Sequence, residues 1–172
     1  MQKNNTARKL LPFVFALALV VIDQVSKQWI IDNVPLNSVY KSFFGDFLII
    51  CHIRNTGAAF SMGAGWGSVL RFAVFVLIPI GLIVLLSIAI WSERSSFTSF
   101  QRWSGAVILG GGIGTVLDRL FRFDEGVVDF ISVKFYGLFG MDRWPTFNIS
   151  DSCVVVGVIL FAFSILFQKE KK

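Results

Sequence analysis

Four stretches of the 172-residue chain are almost continuously apolar, at 10–31, 68–91, 103–121 and 147–167. A hydrocarbon core is crossed by about 20 helical residues, so each stretch predicts a membrane-spanning α-helix. The pattern changes between them. In 32–67 the run FLIICHIRN is rich in β-branched and aromatic residues and bounded by Gly45 and Gly57, which predicts a small sheet at the membrane surface. The segment 122–146 is rich in Phe, Tyr, Gly and Trp and has too few polar residues for a free loop. It is expected to lie in the interface, with aromatic rings at headgroup level. The expected architecture is one domain over 1–172: an all-α bundle of four transmembrane helices with a small extracytoplasmic β element between the first and second helices.

Composition supports a membrane class. The chain is 55% hydrophobic and 16% charged, with a mean hydropathy of +0.70, whereas soluble domains carry about 25% charged residues. The net charge of +5 comes partly from basic tails (Lys3, Arg8 and Lys9; Lys169, Lys171 and Lys172) rather than from an exposed basic face. That argues against nucleic acid as a partner. Arg94 and Arg102 occupy the short connection after the second apolar stretch, while the two longer connections are poorer in positive charge. By the positive-inside rule both termini are cytoplasmic and 32–67 and 122–146 face outwards. A cleavable signal peptide is the alternative for the amino terminus. Asp23, Gln24 and Lys27 follow the run without a small-residue cleavage site, so it is expected to stay as the first span.

Cys51 and Cys153 fall in an outer segment and in a span, and no disulfide is expected between them. His52 beside Cys51 lacks the further ligands of a zinc site, so neither metal nor cofactor is expected.

Chemistry is sought where charge interrupts the apolar pattern. Asp23 and Lys27 stand four apart near the outer end of the first helix, where they can pair while Lys27 extends towards the interface. The third stretch carries GGGIGTVLDRL, in which Gly110 and Gly114 would admit a close helix neighbour. A dinucleotide site there would need a strand and a soluble βαβ unit. Asp118 and Arg119 end that span, as an interfacial anchor or, for Arg119, as a group orienting a carboxylate or substrate carbonyl.

The motif GVVDF sets Asp129 among apolar neighbours, and FNISDS places Asn148 and Asp151 three apart on one face of the fourth helix. An ionisable group at a membrane edge is a functional candidate, with anchoring as the alternative. If the third and fourth spans pack side by side, Asp129 and Asp151 come within reach of each other near the outer surface. Two such carboxylates tend to share one proton, so one can draw a proton from water while the other serves the carbonyl under attack.

Taken together, DQVSK from Asp23, RNTGAAFS from Arg54, GGGIGTVLDR, GVVDF and FNISDS resemble, in order and spacing, the lipoprotein signal peptidase family (signal peptidase II), bacterial membrane aspartic proteases. The resemblance implies cleavage of prolipoprotein signal peptides before a diacylglyceryl-modified cysteine, in the bacterial cytoplasmic (inner) membrane and near its outer leaflet. It implies Asp129 and Asp151 as the catalytic pair. Substrate-binding or supporting roles would fall on Asp23, Asn55, Gly111, Asp118, Arg119 and Asn148. Thr115 stands where the family usually has asparagine, keeping a hydroxyl but losing the two-ended amide. Ser150 stands where members often have alanine. Globomycin-like peptide inhibitors and membrane lipid are the implied partners besides prolipoproteins, and a monomer is expected.

In the RNTGAAF block, Gly57, Ala58 and Ala59 suit close backbone approach to a peptide, and Asn55 offers both a donor and an acceptor. A tight turn is the plainer reading. Phe43, Phe44, Phe47 and Phe60 would lie against acyl chains or seat the outer segment in the membrane. Two rival functions are a small transporter or proton relay through Asp23, Asp118, Asp129 and Asp151, and a non-catalytic scaffold for lipoproteins. A relay needs acids at successive depths, and this topology puts all four near the outer side.

Overall fold

The structure is a computed structural model that describes residues 2–57, 63 and 65–167. Ala58, Ala59, Phe60, Lys169, Lys171 and Lys172, named above, lie outside the described residues, as does the side chain of Lys3.

Helix α1 runs over Gln2–Asn33. Helix α2 covers Ser68–Trp91 and contains a π-helical turn, Ala73–Leu77, just before Pro79. Proline supplies no N–H to an α-helical ladder, and a wider turn ahead of it lets the helix continue. Helix α3, Ser99–Phe121, starts on a capping box in which the Thr98 hydroxyl accepts from the Gln101 backbone and the Gln101 side chain accepts from the Thr98 N–H. Helix α4 spans Ile149–Leu166. Among the described residues these four helices are long and apolar enough to cross a membrane. The third begins earlier than its apolar run, because its first turn is capped by polar side chains rather than by hydrophobic contact.

Strand β1, Val39–Phe43, pairs antiparallel with β2, Leu48–Asn55. Strand β2 then pairs antiparallel with β3, Val127–Val133. The sheet order is β1-β2-β3. The β element is therefore not confined to the first outer connection: GVVDF, expected in an interfacial segment, supplies a third strand. A register shift between Ile50 and Ile53 sets Ile53 opposite Asp129. Such bulges re-aim neighbouring side chains.

Helix α3 is the central post. Of the apolar windows, 56% of its residues are buried, against 11% in α2 and in α4, whose large apolar side chains face outwards as lipid-exposed ones do. Small residues on α3 permit this. Gly110 meets Leu19 and the Ala16 carbonyl of α1, and a Cβ on Gly111 would run into the Ser150 carbonyl and Val154 of α4. Two apolar clusters complete the frame. Ala16, Ile90, Ala106 and Leu109 join α1, α2 and α3, and Ile30, Val34, Val128 and Phe130 bind the end of α1 to the sheet.

Candidate active site

The site begins with the bridge between β3 and the start of α4. Phe147 exchanges backbone hydrogen bonds with Ile131, donating at 3.0 Å and accepting at 2.8 Å. The next residue, Asn148, is the N-cap of α4: its side-chain oxygen accepts from the Asp151 N–H at 2.9 Å. Asp151 answers by accepting from the Asn148 N–H at 3.1 Å. This reciprocal cap holds the Asp151 carboxylate at the helix N-terminus, where the backbone dipoles favour negative charge.

The Asn148 amide also donates to Asp129 Oδ1 at 2.7 Å and to the Val128 carbonyl at 3.3 Å. Asn55, on the neighbouring strand, donates to Asp129 Oδ2 at 3.1 Å. Both oxygens of the buried Asp129 carboxylate are thereby held by amide donors from two different elements. Asn148 touches both acids, which explains why a fully buried asparagine sits at this boundary.

Asp129 and Asp151 line one cavity of about 500 Å³. Near the acids its wall includes Asn55, Gly57, Arg119 and Thr146; farther along, the lining turns apolar with Leu82, Leu86, Ile108 and Val155 of α2, α3 and α4. Such a space suits an amphiphile, with polar groups at one end and apolar wall beyond. Burial, then repulsion from Asp151, raises the Asp129 carboxyl from 3.8 to about 7, although the amides of Asn55 and Asn148 and the Lys27 ammonium act the other way.

That shift has a sign in stability. The folded protein keeps a proton that the unfolded chain releases, so the contribution is complete below about pH 4 and is lost as the pH rises through about 7. The Tm of the protein in detergent is expected to fall across that window, and Asp129→Asn is expected to flatten that part of the curve.

The other expected site residues divide. Thr115 and Arg119 line the cavity. Arg119 is buried, lies with its guanidinium 5.1 Å from the Phe75 ring centre and donates to the Gly57 carbonyl, so it is no exposed interfacial anchor. Gly57 is buried, and its N–H donates to the Asn55 side chain at 3.0 Å, which turns the chain at the end of β2. Gly111 does not line the cavity but seats α4 against α3.

Asp23 and Asp118 stand behind the cavity wall, on either side of Lys27. Lys27 does not extend to the interface: it is fully buried, because α3 brings a second carboxylate within reach. Sequence reasoning passed over Arg122, which pairs with Asp118, and Gln24, which donates to Asp23 at 3.1 Å. The i,i+4 spacing from Asp118 to Arg122 is the signal that could have found the first.

The family model described as signal peptidase (SPase) II matches residues 15–167. The chain is 46% identical over 159 residues to the lipoprotein signal peptidase of Borreliella burgdorferi (strain ZS7), covering 92% of this chain and 91% of that protein. It is 46% identical over 167 residues to the lipoprotein signal peptidase of Borrelia duttonii (strain Ly), covering 97% and 96%. A solved bacterial membrane enzyme, determined by the in meso method at 2.3 Å resolution, superposes with a TM-score of 0.75 at 28% identity, covering 94% of this chain and 93% of that one. With the family model covering residues 15–167 and relatives 46% identical over nearly the whole chain, the chain belongs to the signal peptidase II family of membrane proteases.

Proposed function

We propose that this multi-pass bacterial membrane protein removes signal peptides from prolipoproteins by water attack between Asp129 and Asp151, cleaving before a diacylglyceryl-modified cysteine. The observation that carries the reading is the shared tether: Asn148 bonds Asp129 with its amide and Asp151 with its oxygen, at one cavity. With its carboxyl raised to about 7, Asp129 carries the pair's proton near neutrality. Asp151, at the helix N-terminus, then serves as the base.

In the attack, Asp151 takes a proton from water as the water oxygen bonds to the scissile carbonyl carbon, and Asp129 gives its proton to the carbonyl oxygen. When the tetrahedral intermediate collapses, the C–N bond breaks. The cysteine nitrogen leaves with the proton held by Asp151, and the proton on the former carbonyl oxygen returns to Asp129. The products are the carboxyl end of the signal peptide and the free amine of the lipidated cysteine, with the pair restored to one proton.

The whole chain acts as a single domain and a monomer, with both termini cytoplasmic and the acids near the outer leaflet. The apolar reach of the cavity takes the lipid-anchored part of the substrate, and globomycin-like peptides compete for the same space. A matched pair of peptides tests this, one with a diacylglyceryl cysteine and one with a plain cysteine. The lipid is expected to raise kcat/KM at least about 100-fold, which corresponds to between three and four buried methylenes at about 0.8 kcal/mol each. Equal rates on the two peptides would refute the lipid-guided reading.

A further inference from the structure

Lys27 contributes nothing to the cavity wall, yet its ammonium is among the most deeply buried charged groups described, with no exposed surface at all. It lies 2.7 Å from Asp23 Oδ2 and 2.6 Å from Asp118 Oδ2, and 3.5 Å from the Ser150 hydroxyl. The Asp118 contact is a charge contact off the hydrogen-bonding direction, since Oδ2 there has no directed donor. On its other oxygen Asp118 accepts from Arg122, so two acids and two bases balance behind the cavity.

Asp23 carries this cluster into the site. Its Oδ1 accepts from the Ser150 N–H at 2.9 Å, taking up one of the free donors in the first turn of α4. The next residue in that turn is Asp151. Gly114 makes room for the contact: a Cβ there would overlap the Ser150 hydroxyl and Asp23 Oδ2. The base of the pair is thus held in front by the Asn148 cap and behind by Asp23, whose own carboxylate is paired and aimed by Lys27.

We infer that Lys27 is a positioning residue for the reaction, setting the orientation and the proton affinity of the Asp129/Asp151 pair from behind the first turn of α4. The inference rests on the reading of those two acids as the catalytic pair. The charged groups facing the pair are Asp23 and Lys27 from α1 and Arg119 from α3; the sheet brings Asp129 itself and the neutral Asn55. Lys27 is the buried cation that also neutralises the acid holding α4. Its positive charge already acts to lower the proton affinity of Asp129. Removing that charge leaves Asp23 as a buried carboxylate without a cation, while Asp118 keeps Arg122, and the pair then holds its proton more tightly.

The experiment is a pH–rate profile on a diacylglyceryl peptide in detergent for the parent, Lys27→Met, Lys27→Arg and the double variant Lys27→Met/Asp118→Asn. Lys27→Met is expected to lose most activity and to lower Tm. In the double variant one acid and one base, Asp23 and Arg122, remain behind the cavity, so Tm recovers in part, yet both limbs of the profile stay displaced to higher pH by about 0.5 to 1. Lys27→Arg retains limbs near those of the parent. A purely structural lysine gives a double variant whose limbs match the parent's, and that outcome overturns the inference. Asp129→Asn and Asp151→Asn serve as controls. If they still cleave, the catalytic pair itself is wrong; if they are dead while the limbs do not move, only the role of Lys27 fails.

Discussion

Asp129→Asn and Asp151→Asn are each expected to lower cleavage of a diacylglyceryl peptide by at least about 10³-fold, because a positioned acid or base contributes about 10² to 10⁴ and here the two act as a unit. The effect belongs to chemistry rather than folding. Asp129 accepts from the amides of Asn55 and Asn148 and donates to neither, so an asparagine there keeps one acceptor and sets its own NH₂ against a donor. That mismatch weakens the site locally without emptying the apolar clusters that hold the helices. Circular dichroism should keep its helical signal in both variants, with the peptide intact at the end of the assay. Undiminished turnover in either variant would remove the pair from the mechanism.

The second large effect is expected at Asn148. Its side chain caps α4 and bonds Asp129 as well. Asn148→Ala removes the acceptor for the Asp151 N–H and the donor to Asp129 together. Loss of an N-cap costs about 1 kcal/mol of stability. The larger consequence is geometric, since a displacement of about 1 Å in a reacting group is enough for about a 100-fold loss of rate. Asn148→Ser is the informative companion. It retains a capping oxygen and adds no charge, so Tm is expected to stay above that of the alanine variant, but it is too short to donate to Asp129, and kcat should fall as far as in the alanine variant. If kcat tracks Tm across both variants, Asn148 is a cap and no more.

Much of this was legible in the sequence because it is local. The apolar stretches 68–91 and 103–121 announce helices through length alone, and FLIICHIRN announces a strand through its β-branched and aromatic residues. Asp23 and Lys27 disclose their pairing by an i,i+4 interval. What stayed hidden is non-local. Strand β3 is a strand because Val133 faces Leu48 and Val127 faces Asn55, partners more than 70 positions away, and nothing in GVVDF itself separates that outcome from an interfacial coil. Lys27 reads as a residue that extends to the headgroups until α3 delivers Asp118 to it. Gly111 likewise carries only a substrate-binding or supporting role through the resemblance, while its part in packing emerges where α4 crosses α3.

The pairing of β2 with β3 also governs how the protein comes into being. Residue 48 leaves the ribosome long before residue 133, and the cap that tethers the two acids belongs to the last helix. Closing so long a loop is slow relative to forming the helices. A nascent chain therefore carries Asn55 and Asp23 before the cap on the last helix exists, and under the proposed mechanism hydrolytic competence is expected only once the carboxy-terminal span docks.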